Sequence, residues 1–249
     1  MSKRIRASWW VGIAAVLLLA PLSAFSQNQV SLELLDGGNN GSMGGVYVGP
    51  YDASVNQSKQ STQIICDDFE HEVTPGESWT ATVTSVSSLA TNGTAGLNWG
   101  STLAGADLGG AMFSSLQGYY AMAELATQLL TANSNQASYL AYAIWAVFDG
   151  NAVQSWIGSH GGFPPGFWAA VQSMALTALQ GSYNSSTFAG WEILTAVSGT
   201  QSAGNGPPQE FFVFVPEGGT ALMYLLLAGF ACFGTMYFKS RRRHATSLV

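Results

Sequence analysis

Residues 79–86 read Trp79-Thr80-Ala81-Thr82-Val83-Thr84-Ser85-Val86. The run alternates and is rich in β-branched side chains, which suits a pleated, half-buried surface. It predicts a strand over 78–86. Pro75-Gly76 lies just upstream. Pro sets φ and Gly admits positive φ, so the pair predicts a turn joining this strand to another over 63–70. Two shorter stretches further back, 30–35 and 46–48, also have strand character. Between them, 37–45 read Gly-Gly-Asn-Asn-Gly-Ser-Met-Gly-Gly. Five glycines in nine residues predict a loop with no regular element.

The pattern changes after Gly110. Leu116, Tyr119, Tyr120, Ala123, Ala126, Thr127 and Leu130 fall on helical spacing and predict a helix over 116–130. A second is predicted over 135–148, ended by Asp149-Gly150-Asn151. Pro164-Pro165 opens a third over 166–180. Strand character returns at 191–197 and 210–215. Strands, then helices, then strands predict an α+β fold: a β-rich domain with a helical insertion. About 190 residues are enough for one domain with its own core.

Charge is sharply partitioned. The chain has 249 residues, with 8 Lys+Arg and 14 Asp+Glu. Seven of the bases lie in the first six residues or after position 238, and every acid lies between Glu33 and Glu217. Residues 27–218 hold the 14 acids against Lys59 alone, a formal −13. Such a body has no basic patch to neutralise phosphates, which excludes nucleic acid as a partner. Only 9% of residues are charged and 47% are hydrophobic, so the middle is expected to fold.

Both ends read as addresses. Lys3, Arg4 and Arg6 precede an apolar run broken by Pro21, and Ala24-Phe25-Ser26 offers small residues for a signal peptidase. A signal peptide over 1–26, cleaved before Gln27, is expected. At the other end, 220–238 is an uncharged apolar stretch of 19 residues. At about 1.5 Å per residue it approaches the hydrocarbon thickness of a bilayer, so one C-terminal transmembrane helix is expected. Lys239, Arg241, Arg242 and Arg243 follow at once and belong on the cytoplasmic side, which places the middle outside the inner membrane.

Val215-Pro216-Glu217, the apolar stretch and the basic end at 239–243 together resemble the PEP-CTERM sorting signal of Gram-negative bacteria. Gly218 stands where that family has a second Pro. The resemblance implies domain boundaries of 1–26, 27–214 and 215–243, with the motif at 215–219. It also implies processing by signal peptidase and an exosortase-type enzyme. The precursor would be anchored in the inner membrane, and the product would reach the cell surface or the exopolysaccharide matrix.

Cys66 is the single thiol of the exported part, since Cys232 falls in the apolar tail. Asp67 and Asp68 follow it and disfavour a thiolate. The residues from Cys66 to Trp79, with Tyr142-Ala143-Ile144-Trp145, resemble the thioester domains of bacterial surface adhesins. In that family a Cys bonds to a Gln just upstream of an Ala-hydrophobic-Trp helix motif. The resemblance maps the Cys to Cys66, the motif to Ala143 and Trp145, and the Gln to Ala141. Ala has no carbonyl to acylate, so the bond cannot form as it does in the family. Gln136 lies five residues further upstream. The resemblance therefore implies a thioester-type scaffold without its covalent chemistry.

Five carboxylates in eleven residues, from Asp67 to Glu77, admit a Ca²⁺ site at Asp67, Asp68 and Glu70. They equally read as a solvated acidic edge that deters strand-to-strand aggregation. Gly-x-Ser-x-Gly is absent, and His71 and His160 are the only histidines before the tail. Trp156 and Trp168, flanking the 161–165 loop, are the best candidates for an exposed aromatic surface. The reading is a non-enzymatic exported protein that binds polysaccharide or envelope components. A thioester adhesin, a Ca²⁺-dependent module and a secreted hydrolase are the alternatives.

Overall fold

The computed structural model describes residues 29–202 and 209–215, and these form a closed antiparallel barrel with a helical insertion. The predicted signal peptide, Pro216, Glu217, the 220–238 stretch and the basic residues Lys239, Arg241, Arg242 and Arg243 lie outside the described residues. Within them no helix is long and apolar enough to cross a membrane.

Six strands close the barrel. They are β1 (Gln29–Asp36), β4 (Tyr51–Val55), β5 (Ser61–Cys66), β8 (Phe211–Phe214), β7 (Trp191–Ala196) and β6 (Ser78–Ser85), each paired antiparallel with the next and β6 with β1. Closure leaves no unpaired edge in the barrel. In β6, Trp79 and Ala81 are buried while Ser78, Thr80 and Thr82 stay half-exposed, so the first half of the strand alternates inside and outside, whereas Val83, Thr84 and Ser85 are all half-exposed.

The insertion lies between β6 and β7. It holds a single turn, α1 (Leu89–Asn92), and then α2 (Ser115–Leu129), α3 (Ser134–Ser159) and α4 (Phe167–Leu179). α3 packs against both α2 and α4. Ala137, Ala141, Ala143 and Ala146 are all buried on it, and their small side chains allow this close approach.

Four expectations change. The helix predicted to stop at 148 continues to Ser159. Asp149 leaves helical geometry (φ −128°, ψ 51°), but its Oδ1 accepts from the N–H of Ala152 and so caps a second helical segment. The strand over 63–70 ends at Cys66, because the chain beyond it coils around Asp68. The strand β4 was not foreseen. The glycine-rich loop contains a small hairpin, β2 (Ser42–Met43) with β3 (Val46–Tyr47). Gly44 turns it with φ +61°, where a Cβ would strike the Phe163 ring at 2.2 Å.

Candidate functional site

The aromatic residues of α3 bind it to the barrel mouth. The indole N–H of Trp145 donates to the Cys66 carbonyl at 3.0 Å. The Tyr142 hydroxyl donates to Met43 O at 2.9 Å, and Trp156 Nε1 to Gly44 O at 3.1 Å. Helix and hairpin thus enclose a cleft of about 250 Å³, lined by Tyr47, Phe69, His71, Glu72, Trp145 and Trp156 among others. Phe69 packs between the indoles, at 5.2 Å from Trp145 and 5.8 Å from Trp156 between ring centroids.

Asp68 organises the loop below the cleft. Its Oδ1 accepts from the N–H groups of Glu70 and His71, and its Oδ2 from Asn98 Nδ2. Oδ2 also lies 2.6 Å from His71 Nδ1. That contact places the proton on Nδ1 when the ring is neutral and leaves Nε2 as an acceptor. The carboxylate is fully buried and the imidazole is 31% exposed.

Beneath this loop sits a second acidic pair. The Asp67 N–H donates to Glu210 O at 3.3 Å, extending the pairing of β5 with β8. Glu210 is completely buried, and its carboxylate accepts from the Tyr119 hydroxyl (2.7 Å), the Thr195 hydroxyl (2.5 Å) and the Asn98 N–H (3.1 Å). Neither Asp67 oxygen receives a donor. Burial pushes the Asp67 carboxyl well above the usual carboxylate range, with Glu210 and then Asp68 adding to it. Burial also raises Glu210, against the pull of its three donors. Both carboxyls are therefore biased toward their neutral forms, Asp67, which has no donor, more than Glu210.

Cys66 is buried, and its thiol donates to Asp68 O at 3.0 Å. Burial, followed by the charges of Asp68 and Asp67, pushes this thiol well above its ordinary range. The side chain is therefore poorly activated as a nucleophile. Ala141 and Ala143 are buried on α3, one turn and half a turn before Trp145. Of the mapped thioester positions, Cys66 and Trp145 are in contact. Gln136 is committed elsewhere. It forms a capping box with Asn133 at the start of α3.

The carboxamide beside Cys66 is Gln209. Its Nε2 donates to Asp68 O at 3.0 Å, the same oxygen that receives the Cys66 thiol, and also to His71 O. No local pattern marks Gln209 or Glu210 in the sequence, because they reach the site only through the pairing of β5 with β8.

The acidic stretch is a solvated edge only at Glu70 and Glu72: Asp67, Asp68 and Glu77 are buried. Nor do Asp67, Asp68 and Glu70 converge on one point. Asp67 faces Glu210, Asp68 holds the loop, and Glu70 is exposed. Among the described residues no three His, Cys, Asp or Glu side chains are grouped as a metal ion requires. Trp156 and Trp168 are half-buried, and not the open surface expected of them.

No protein-family model, curated protein or solved structure matches the chain.

Proposed function

We propose that the chain is a non-enzymatic, exported protein of the cell surface or extracellular matrix, delivered by an exosortase-type system, whose barrel domain binds polysaccharide or envelope components at the aromatic cleft. The observation that carries this reading is where the barrel closes. The last barrel strand closes at Phe214, and Val215, the first residue of the sorting motif, is 45% exposed and still donates to Gly190 O at 2.7 Å. Cleavage at the motif would leave all six strands intact. The buried, poorly activated thiol of Cys66 supports a non-enzymatic role.

Expression in an exosortase-bearing host, with an epitope after Val249, tests the sorting. The wild-type chain loses the epitope and its domain appears at the surface or in the medium. The Pro216→Ala, Glu217→Ala variant keeps the epitope and stays in the inner membrane. A wild-type chain that retains the epitope in the membrane sinks the proposal.

One observation favours a second reading, a covalent adhesin with a displaced partner. The Cys66 thiol and the Gln209 carboxamide meet at Asp68 O. Attack of the Cys66 sulfur on the Gln209 carbonyl would form a thioester and release ammonia. An intact mass short by one ammonia, restored in Cys66→Ala, supports this reading. A full mass removes it.

A further inference from the structure

The polar groups of the cleft are strongly biased. The indole N–H groups of Trp145 and Trp156 and the Gln209 carboxamide N–H are all spent on backbone carbonyls. The Tyr51 hydroxyl donates to Tyr47 O at 2.8 Å. Of the other lining side chains, the Tyr47 and Thr74 hydroxyls donate or accept, Glu72 only accepts, and much of the rest is ring surface. Tyr47 is 50% exposed, and its ring lies over Gly37, where a Cβ would meet it at 2.4 Å. Glu72 is exposed at the rim and engages no donor among the described residues. His71 adds its Nε2, an acceptor in the neutral ring whose Nδ1–H is turned to Asp68.

No Lys or Arg lines the cleft. The single described base, Lys59, stands in the turn between β4 and β5. The 27–218 body carries a formal −13, so its field draws cations and repels polyanions. A hydroxyl-rich neutral ligand needs donors and acceptors from its site in balance. An ammonium group has three donors and no acceptor, and it is attracted to aromatic faces.

We infer that the cleft between Tyr47, Trp156, His71 and Glu72 takes a cationic amino group carried on a polysaccharide, an amino-sugar unit with a free amine. This rests on the polysaccharide-binding reading and names its ligand class. The charge seats against the rings of Tyr47 and Trp156. Glu72 and His71 Nε2 accept its N–H groups.

The test titrates the purified full chain at neutral pH with short glucosamine oligomers and with their fully N-acetylated counterparts, following tryptophan fluorescence. The two probes share one skeleton. The free amines are expected to bind about tenfold tighter or more. The preference should shrink with added salt and approach parity in Glu72→Gln and Tyr47→Ala. Both variants sit at exposed positions, and circular dichroism checks their fold. Equal or tighter binding of the N-acetylated oligomers overturns the inference while leaving polysaccharide binding in place. Binding of neither probe overturns both.

Discussion

Asp67 and Glu210 lie side by side at the end of the barrel with no cation facing them. Their backbones are joined by the Asp67 N–H to Glu210 O bond, and burial raises both carboxyls above the usual carboxylate range. Tyr119 from α2 and Thr195 from β7 donate into the same carboxylate, so the pair joins the insertion to the barrel.

This pair sets a pH dependence. Folding raises the Asp67 pKa, so the native state binds more protons than the unfolded state. The stabilisation is complete below the ordinary carboxylate pKa of about 4 and is lost as pH rises through the raised value. Denaturation midpoints should fall as pH rises above about 4. Asp67→Asn supplies a permanent donor to Glu210, so it should flatten that fall and gain on the order of 1–3 kcal/mol at neutral pH. Urea melts across pH check this, and a wild-type profile as flat as the variant's would refute it.

Trp145→Phe keeps the ring but removes the donor to the buried Cys66 carbonyl. An unsatisfied buried acceptor costs about 1–3 kcal/mol, and chemical denaturation should show a loss of that size. A loss far below it would mean that the bond is replaced.

Gly118 allows α2 to approach its neighbours. A Cβ there would meet Phe148 at 2.3 Å and Ala104 at 2.7 Å. Gly118→Ala should destabilise the domain by about 1–3 kcal/mol, although alanine is the better helix former by about 1 kcal/mol. It should also disturb the Phe148 ring stacked on Trp99 at 5.5 Å, visible in the near-ultraviolet circular dichroism.

Asn133 accepts from Gln136 N at 3.1 Å and opens the longest helix of the fold. Asn133→Ala should lower stability by about 1 kcal/mol without altering the cleft. Thermal melting measures the first effect. Unchanged ligand titrations measure the second.

Much of the fold is legible in local pattern. The alternation of 79–86 became β6, with Trp79 and Ala81 inside. Helical spacing found α2 and α4 to within a residue or so at each end, and the order of segments predicted the insertion. Local pattern failed where a distant partner decides the outcome. Asp149-Gly150-Asn151 reads as a stop, and helical geometry does break at Asp149, but the chain restarts at once because Asp149 caps a second segment while Gly150 packs on Leu108 and Asp107. The Gly-rich loop forms a hairpin because Tyr142 and Trp156 hold Met43 and Gly44.

The sequence by itself determined the charge partition and the α+β order, because each is a property of neighbours along the chain. It also pointed to Cys66 and Trp145. Tertiary structure alone decided that the strands close into a barrel, since closure depends on β6 meeting both β1 and β7. It also decided that Asp67 and Asp68 are buried and not solvated. Asp68 is held by Asn98, 30 positions away, and Asp67 is tied through its backbone to Glu210, whose own carboxylate is held by Tyr119 and Thr195, so the partners that accompany this burial come from distant segments.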